Sequence, residues 1–122
     1  MISVIDDDAS VRAATGNLLS ARGYLARTFA SAEEFLRSLN LHDSSCVIAD
    51  LQMPGMSGLD LLAHMREKGY KTPFILITAF PEGSVRDRAL KAGAIGFFAK
   101  PFSALDLIDC VETALRQRGL GS

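Results

Sequence analysis

Apolar residues follow two rhythms along this chain. Short, nearly unbroken runs fall at residues 2–6, 24–29, 46–50, 73–78 and 96–100, the pattern of strands buried on both faces. Between them apolar positions recur at helical spacing, as in Val11, Ala14, Leu18 and Leu19 and again in Leu105, Ile108, Val111 and Leu115. This alternation predicts a parallel sheet covered by helices on both faces.

Punctuation sets the boundaries. Ser31, Ser57, Ser84 and Ser103 each stand three residues before an acid, Glu34, Asp60, Asp87 and Asp106. A hydroxyl there accepts the third helical N–H while the acid favours the positive end of the helix, about 1 kcal/mol per cap. Asp8 is read in the same way, as the cap of the first helix rather than a metal ligand. Gly23, Gly69, Gly93 and Gly119 follow the apolar stripes, where a left-handed residue stops a helix.

Five right-handed strand-helix units cover both faces of one sheet only if the chain reverses direction within it. The flavodoxin-like α/β solution is a doubly wound sandwich with strand order 2-1-3-4-5. The first and third strands are then neighbours, and ligands bind beyond their C-terminal ends. The first run closes on Asp6-Asp7-Asp8 and the third on Asp50. Carboxylates gathered at one end of a sheet are tolerable when a divalent cation sits among them, so the crevice reads as a phosphoryl-transfer site.

Composition narrows the choice of class. With 122 residues, 48% of them hydrophobic, the chain suits one domain with a single core. Its 13 basic and 14 acidic residues are dispersed, unlike the basic stripe of a nucleic-acid binder, so no direct contact with nucleic acid is expected. No apolar run approaches the ~18 residues of a membrane span, Met1 leads at once into a strand-like segment rather than a basic region and secretory core, and a cytoplasmic location is expected. Cys46 and Cys110 read as reduced, buried thiols. His42 reads as a loop residue and His64 as part of a helix, neither with a partner at metal-site spacing. Met53 and Met56 are expected to pack the turn around Pro54-Gly55.

Four strand ends now share one mouth: Asp6 and Asp7, Asp50, Thr78, and Lys100. In these motifs, Ile5-Asp6-Asp7-Asp8, the stretch from Asp50 through Met53-Pro54-Gly55 to Gly58, Leu76-Ile77-Thr78-Ala79 and Phe98-Ala99-Lys100-Pro101-Phe102, the chain resembles the CheY-like receiver domain of two-component response regulators. The resemblance spans Ile2 to about Arg118, and residues 1–119 are assigned to that domain. Residues 120–122 are read as a tail or the start of a linker.

The resemblance implies that Asp50 takes a phosphoryl group from a phosphohistidine on a sensor histidine kinase. It implies Mg²⁺ held by Asp7, Asp50 and the backbone carbonyl of Gln52, with Asp6 acting directly or through water. Lys100 and Thr78 would bind phosphoryl oxygens, and Pro101 matches the family's cis peptide at a tight turn. Thr78 and Phe97 would form the switch. Gln52 and Phe80, each two positions beyond a site residue, would tune the access of water. The face made by the fourth helix, with Val85, Arg86, Arg88 and Lys91, the fifth strand and the fifth helix would bind a partner or a second copy. The motif details are similar to receivers of the FixJ type, which precede a helix-turn-helix domain, so transcriptional output is the implied consequence.

Two other readings compete. A haloacid-dehalogenase-like phosphatase also uses an aspartyl nucleophile and Mg²⁺, but it needs a second Asp two residues on, where this chain has Gln52. A pseudo-receiver would bind partners without phosphate, against which stands the intact set Asp6, Asp7, Asp50, Thr78 and Lys100.

Overall fold

A computed structural model describes residues 1–38 and 40–120, leaving aside the side chains of residue 40 and of 117–120. The elements run β1 (Ile2–Ile5), α1 (Ala9–Ala21), β2 (Ala26–Phe29), α2 (Ala32–Arg37), α3 (Asn40–Asp43), β3 (Cys46–Asp50), α4 (Gly58–Glu67), β4 (Phe74–Thr78), α5 (Gly83–Lys91), β5 (Gly96–Ala99) and α6 (Ala104–Leu120). All five strands are parallel in the order β2-β1-β3-β4-β5, as the pattern predicts.

Alternation along each strand divides the core into two layers. Val47 and Ala49 of β3 and Phe74 and Leu76 of β4 face one side, where they meet Phe35, Leu61, Leu62, Met65 and Ala89. Cys46, Ile48, Ile75 and Ile77 face the other, against Leu19, Leu107, Ile108 and Val111. Helices α2, α4 and α5 therefore cover one face, and α1 and α6 the other. Full burial of a side chain such as Ile48 or Leu61 is worth about 1.5–3 kcal/mol. That is ample to hold the central strands as a rigid platform.

Helix ends follow most of the punctuation. Asp8 accepts from the backbone N–H of Ser10 and Val11, and Ser31 from that of Glu34. Ser57 and Asp60 form a reciprocal capping box, and Ser103 accepts from Asp106. Ser84 is different. It lies inside α5, whose cap is Glu82 with no side-chain bond. Gly23, Gly69 and Gly93 have positive φ, as a helix stop requires, whereas α6 runs through Gly119 to Leu120. A glycine inside a helix costs only about 1 kcal/mol, too little to end so long an element. His42 belongs to the short α3 rather than a loop, and its Nδ1 pairs with the Tyr70 hydroxyl at 2.8 Å. Cys46 is buried and Cys110 half-buried, both as thiols. Among the described residues no helix is long and apolar enough to cross a membrane. Of the tail expected at 120–122, residues 121–122 lie outside the described residues.

Candidate functional site at the C-terminal ends of the strands

Register brings the site residues to one level. Ile5 of β1 pairs with Ala49 of β3, so Asp6 and Asp50 are the next residues on adjacent strands. Asp50 pairs with Ile77, and Thr78 with Ala99, which places Thr78 and Lys100 one and two steps further around the mouth. Asp7 completes the group: one carboxylate oxygen from each of Asp6, Asp7 and Asp50 lies within 4.8 Å of the others.

Lys100 spans the pocket. Its Nζ donates to Asp50 Oδ2 at 3.0 Å and to Asp6 Oδ2 at 3.1 Å, and the two carboxylates are only 7% and 5% exposed. Burial pushes the Asp50 carboxyl above its usual pKa, the hydrogen bond from Lys100 pulls the other way, and the Asp6 charge tips the balance upward. Burial would lower the pKa of the ammonium, but its bonds to Asp50 and Asp6 outweigh that and hold it above the usual value. Three carboxylates against one ammonium leave negative charge uncompensated. An oxygen-only donor set with that excess fits a hard divalent cation.

The backbone fixes each group. Asp6 Oδ1 accepts the Asp8 N–H at 2.9 Å, and Asp50 Oδ1 accepts the Gln52 N–H at 3.2 Å. Gly58 opens α4 where an added Cβ would run into the backbone carbonyl of Asp50 and Leu76, so only glycine lets this helix approach β3 so closely. The Lys100–Pro101 peptide bond is cis.

Thr78 is fully buried. Its hydroxyl donates to Oε1 of Gln52 at 2.7 Å and accepts the Phe80 N–H at 3.0 Å. Phe80 is 68% exposed at the rim. Phe97 is half-buried and packs against the core layer beneath α4 and α5.

Three contacts had no counterpart in the sequence reading. Arg12 of α1 donates to the backbone carbonyl of Asp6 at 2.7 Å, tying that helix to the acidic loop. Glu33 of α2 accepts the Met56 N–H at 2.9 Å and so clamps the loop that follows Asp50. That bond helps to hold the Glu33 carboxyl below its usual pKa. The third is the bond between Gln52 and Thr78. An arginine one turn into the helix after an acidic strand end was a usable signal for the first, whereas the others join residues far apart in sequence.

Comparison with known proteins places these features in a family. Residues 2–112 match the model of the response regulator receiver domain. The response regulator protein TmoT of Ectopseudomonas mendocina is 38% identical over 95% of this chain and 53% of its own length. The transcriptional regulatory protein FixJ of Bradyrhizobium diazoefficiens is 35% identical over 95% of this chain and 57% of its own. The crystal structure of FixJ-N superposes with a TM-score of 0.84 at 32% identity, covering 94% of this chain and 92% of that one. The chain thus spans about half the length of the curated relatives it matches.

Proposed function

The chain belongs to the response regulator receiver family of two-component signalling, and from that premise we propose that Asp50 is its phosphoacceptor. The family implies a sensor kinase as partner. The observation that carries the proposal is the placement of Asp50 at the end of β3, bonded to Lys100 and flanked by Asp6 and Asp7.

An Asp50 carboxylate oxygen attacks the phosphorus of a kinase phosphohistidine, the N–P bond breaks, and the electron pair leaves with the imidazole, which takes a proton from water. Asp6, Asp7, Asp50 and the backbone carbonyl of Gln52 would hold Mg²⁺, which when bound offsets the charge of the phosphoryl oxygens. Lys100, already within hydrogen-bond reach of Asp50, contributes a fixed positive charge to one phosphoryl oxygen. Thr78 donates to another. Because these groups belong to the receiver, it promotes its own phosphorylation and dephosphorylation rather than acting on a separate substrate. The apolar recess between α1 and the β5–α6 loop, lined by Val11, Ala14, Leu18, Pro101 and Phe102, opens beside Lys100 and suits the docking of the kinase helix that presents the phosphohistidine.

Phosphate becomes a signal when Thr78 and Phe97 have a second arrangement that the acyl phosphate favours. The face that changes is α5, β5 and α6, where Val85, Arg86, Arg88 and Lys91 stand on α5. It serves a second copy of the chain or an output partner, and the similarity to FixJ, a transcriptional regulatory protein, points to transcription as the output. Residues 1–119 would make up this receiver domain.

Incubation with Mg²⁺ and acetyl phosphate should add the mass of one phosphoryl group. The gain should vanish in Asp50→Asn and without the cation, and an equal gain in that variant would refute the assignment. Phe80, exposed at the rim with its N–H on Thr78, is assigned the role of shielding the acyl phosphate from water, so Phe80→Ala should shorten the lifetime of the phosphorylated form several-fold. An unchanged decay rate would remove Phe80 from the tuning role.

A further inference from the structure

A threonine hydroxyl has one proton to give. In this structure that proton goes to Gln52 Oε1 at 2.7 Å, while the Thr78 oxygen accepts the Phe80 N–H at 3.0 Å. The same pair of bonds settles the orientation of the Gln52 amide, since an amide nitrogen facing Thr78 would leave the hydroxyl proton without an acceptor. Thr78 is fully buried while Gln52 is exposed at the rim, so the glutamine reaches inward to the threonine. Thr78 has no second proton for a phosphoryl oxygen at Asp50. It must first release Gln52.

We propose that the Gln52 side chain is a latch that holds Thr78 in the resting arrangement until a phosphoryl group at Asp50 competes for the same proton. This rests on the phosphoacceptor reading and deepens it, because it names what the phosphate displaces. Gln52 is a positioning residue, acting through Thr78. The exchange has a direction: a bond to an anionic phosphoryl oxygen is roughly twice as strong as one to a neutral amide. The swap is therefore favourable only when the anion is present. Gln52 also bonds Asp50 Oδ1 through its own backbone N–H at 3.2 Å, so one residue links the nucleophile to the switch.

Apparent affinity for an activating ligand falls by the fraction of molecules able to receive it. Removing one ordinary hydrogen bond that opposes activation should raise that affinity roughly 2- to 12-fold. Beryllium fluoride with Mg²⁺, a phosphoryl mimic, is the probe. Gln52→Leu should bind it several-fold more tightly than wild type. Without the mimic, the Thr78 methyl and Phe97 ring resonances of that variant should move toward their positions in the bound state.

Gln52→Glu, which keeps an acceptor at the same reach, should return the resting Thr78 resonance to its wild-type position. In a Thr78→Val background Gln52→Leu should change neither the affinity for beryllium fluoride nor the Phe97 ring resonances. The latch is refuted if Gln52→Leu leaves affinity and resonances at wild-type values, or if its gain persists without the Thr78 hydroxyl. Failure of the wild type itself to bind beryllium fluoride would instead overturn the phosphoacceptor reading, and the latch with it.

Discussion

Lys100→Met should slow phosphorylation by acetyl phosphate by roughly 10²–10³-fold, the effect of removing one preorganised donor from a charge-stabilising site, while tightening the binding of Mg²⁺. The two effects have one cause. The ammonium donates to Oδ2 of both Asp6 and Asp50, so on the proposed function it would be at once a charge waiting for the phosphoryl group and a competitor for the carboxylates that would hold the cation. Methionine keeps the apolar stem as far as Cε and removes the ammonium, its charge and its N–H donors together. Without a cation, two nearly buried carboxylates then face each other unpaired. Breaking a buried ion pair costs about 3–5 kcal/mol, less here because the lysine side chain is 17% exposed. Added Mg²⁺ should restore more stability to the variant than to the wild type. Time courses of intact mass, calorimetric titration with Mg²⁺ and thermal melts with and without it give all three readouts. A phosphorylation rate within a few-fold of wild type, or unchanged cation affinity, would contradict the role assigned to Lys100.

Gly58→Ala should cost about 3 kcal/mol, at the upper end for overpacking a close contact, and lower the melting temperature by roughly 10 °C. The new Cβ meets the backbone carbonyl of Asp50 and a methyl of Leu76. Neither can retreat easily, since the first belongs to the central strand and the second is a fully buried core side chain. Relief must come from α4 moving away, which strains the bond from the Gly58 N–H to the Leu51 carbonyl at 3.0 Å. Stability and activity should therefore fall together. By contrast Gly83, with nothing within 4 Å of its added Cβ, should accept Ala with little loss. Equal melting temperatures for Gly58→Ala and Gly83→Ala would show that α4 does not approach β3 as described.

The sheet was legible because its central strands are buried on both faces. Such strands read as near-continuous apolar runs, as in residues 46–49 and 74–77, and no amphipathic helix imitates them. The edge strand was drawn less sharply: Tyr24 and Leu25 extend its apolar pattern, yet β2 begins at Ala26 and Leu25 is 61% exposed. A four-residue helix such as α3 is too short to show a period, so His42 looked like loop. At Ser84 the Ser-x-x-Asp spacing was present but the helix had already begun at Gly83. Spacing alone cannot say which turn of backbone comes first.

The acidic mouth was legible for a different reason. Right-handed crossovers and one reversal leave little freedom in strand order, so residues that end strands must converge. Which side chains bond one another within the mouth was not legible. Thr78 and Gln52 are 26 positions apart, and Glu33 and Met56 are 23 apart. Neither pair shares an element whose periodicity would join them, and their meeting depends on rotamers that only the packed structure selects.

Reductive trapping tests the central claim most directly. The protein, treated with Mg²⁺ and acetyl phosphate, is reduced with borohydride, which converts an aspartyl phosphate to homoserine, and then digested and mapped by mass. The expected result is homoserine at position 50 and at no other aspartate. Reduction at Asp6 or Asp7 instead, or an unmodified map from protein that has bound the cation, would contradict it.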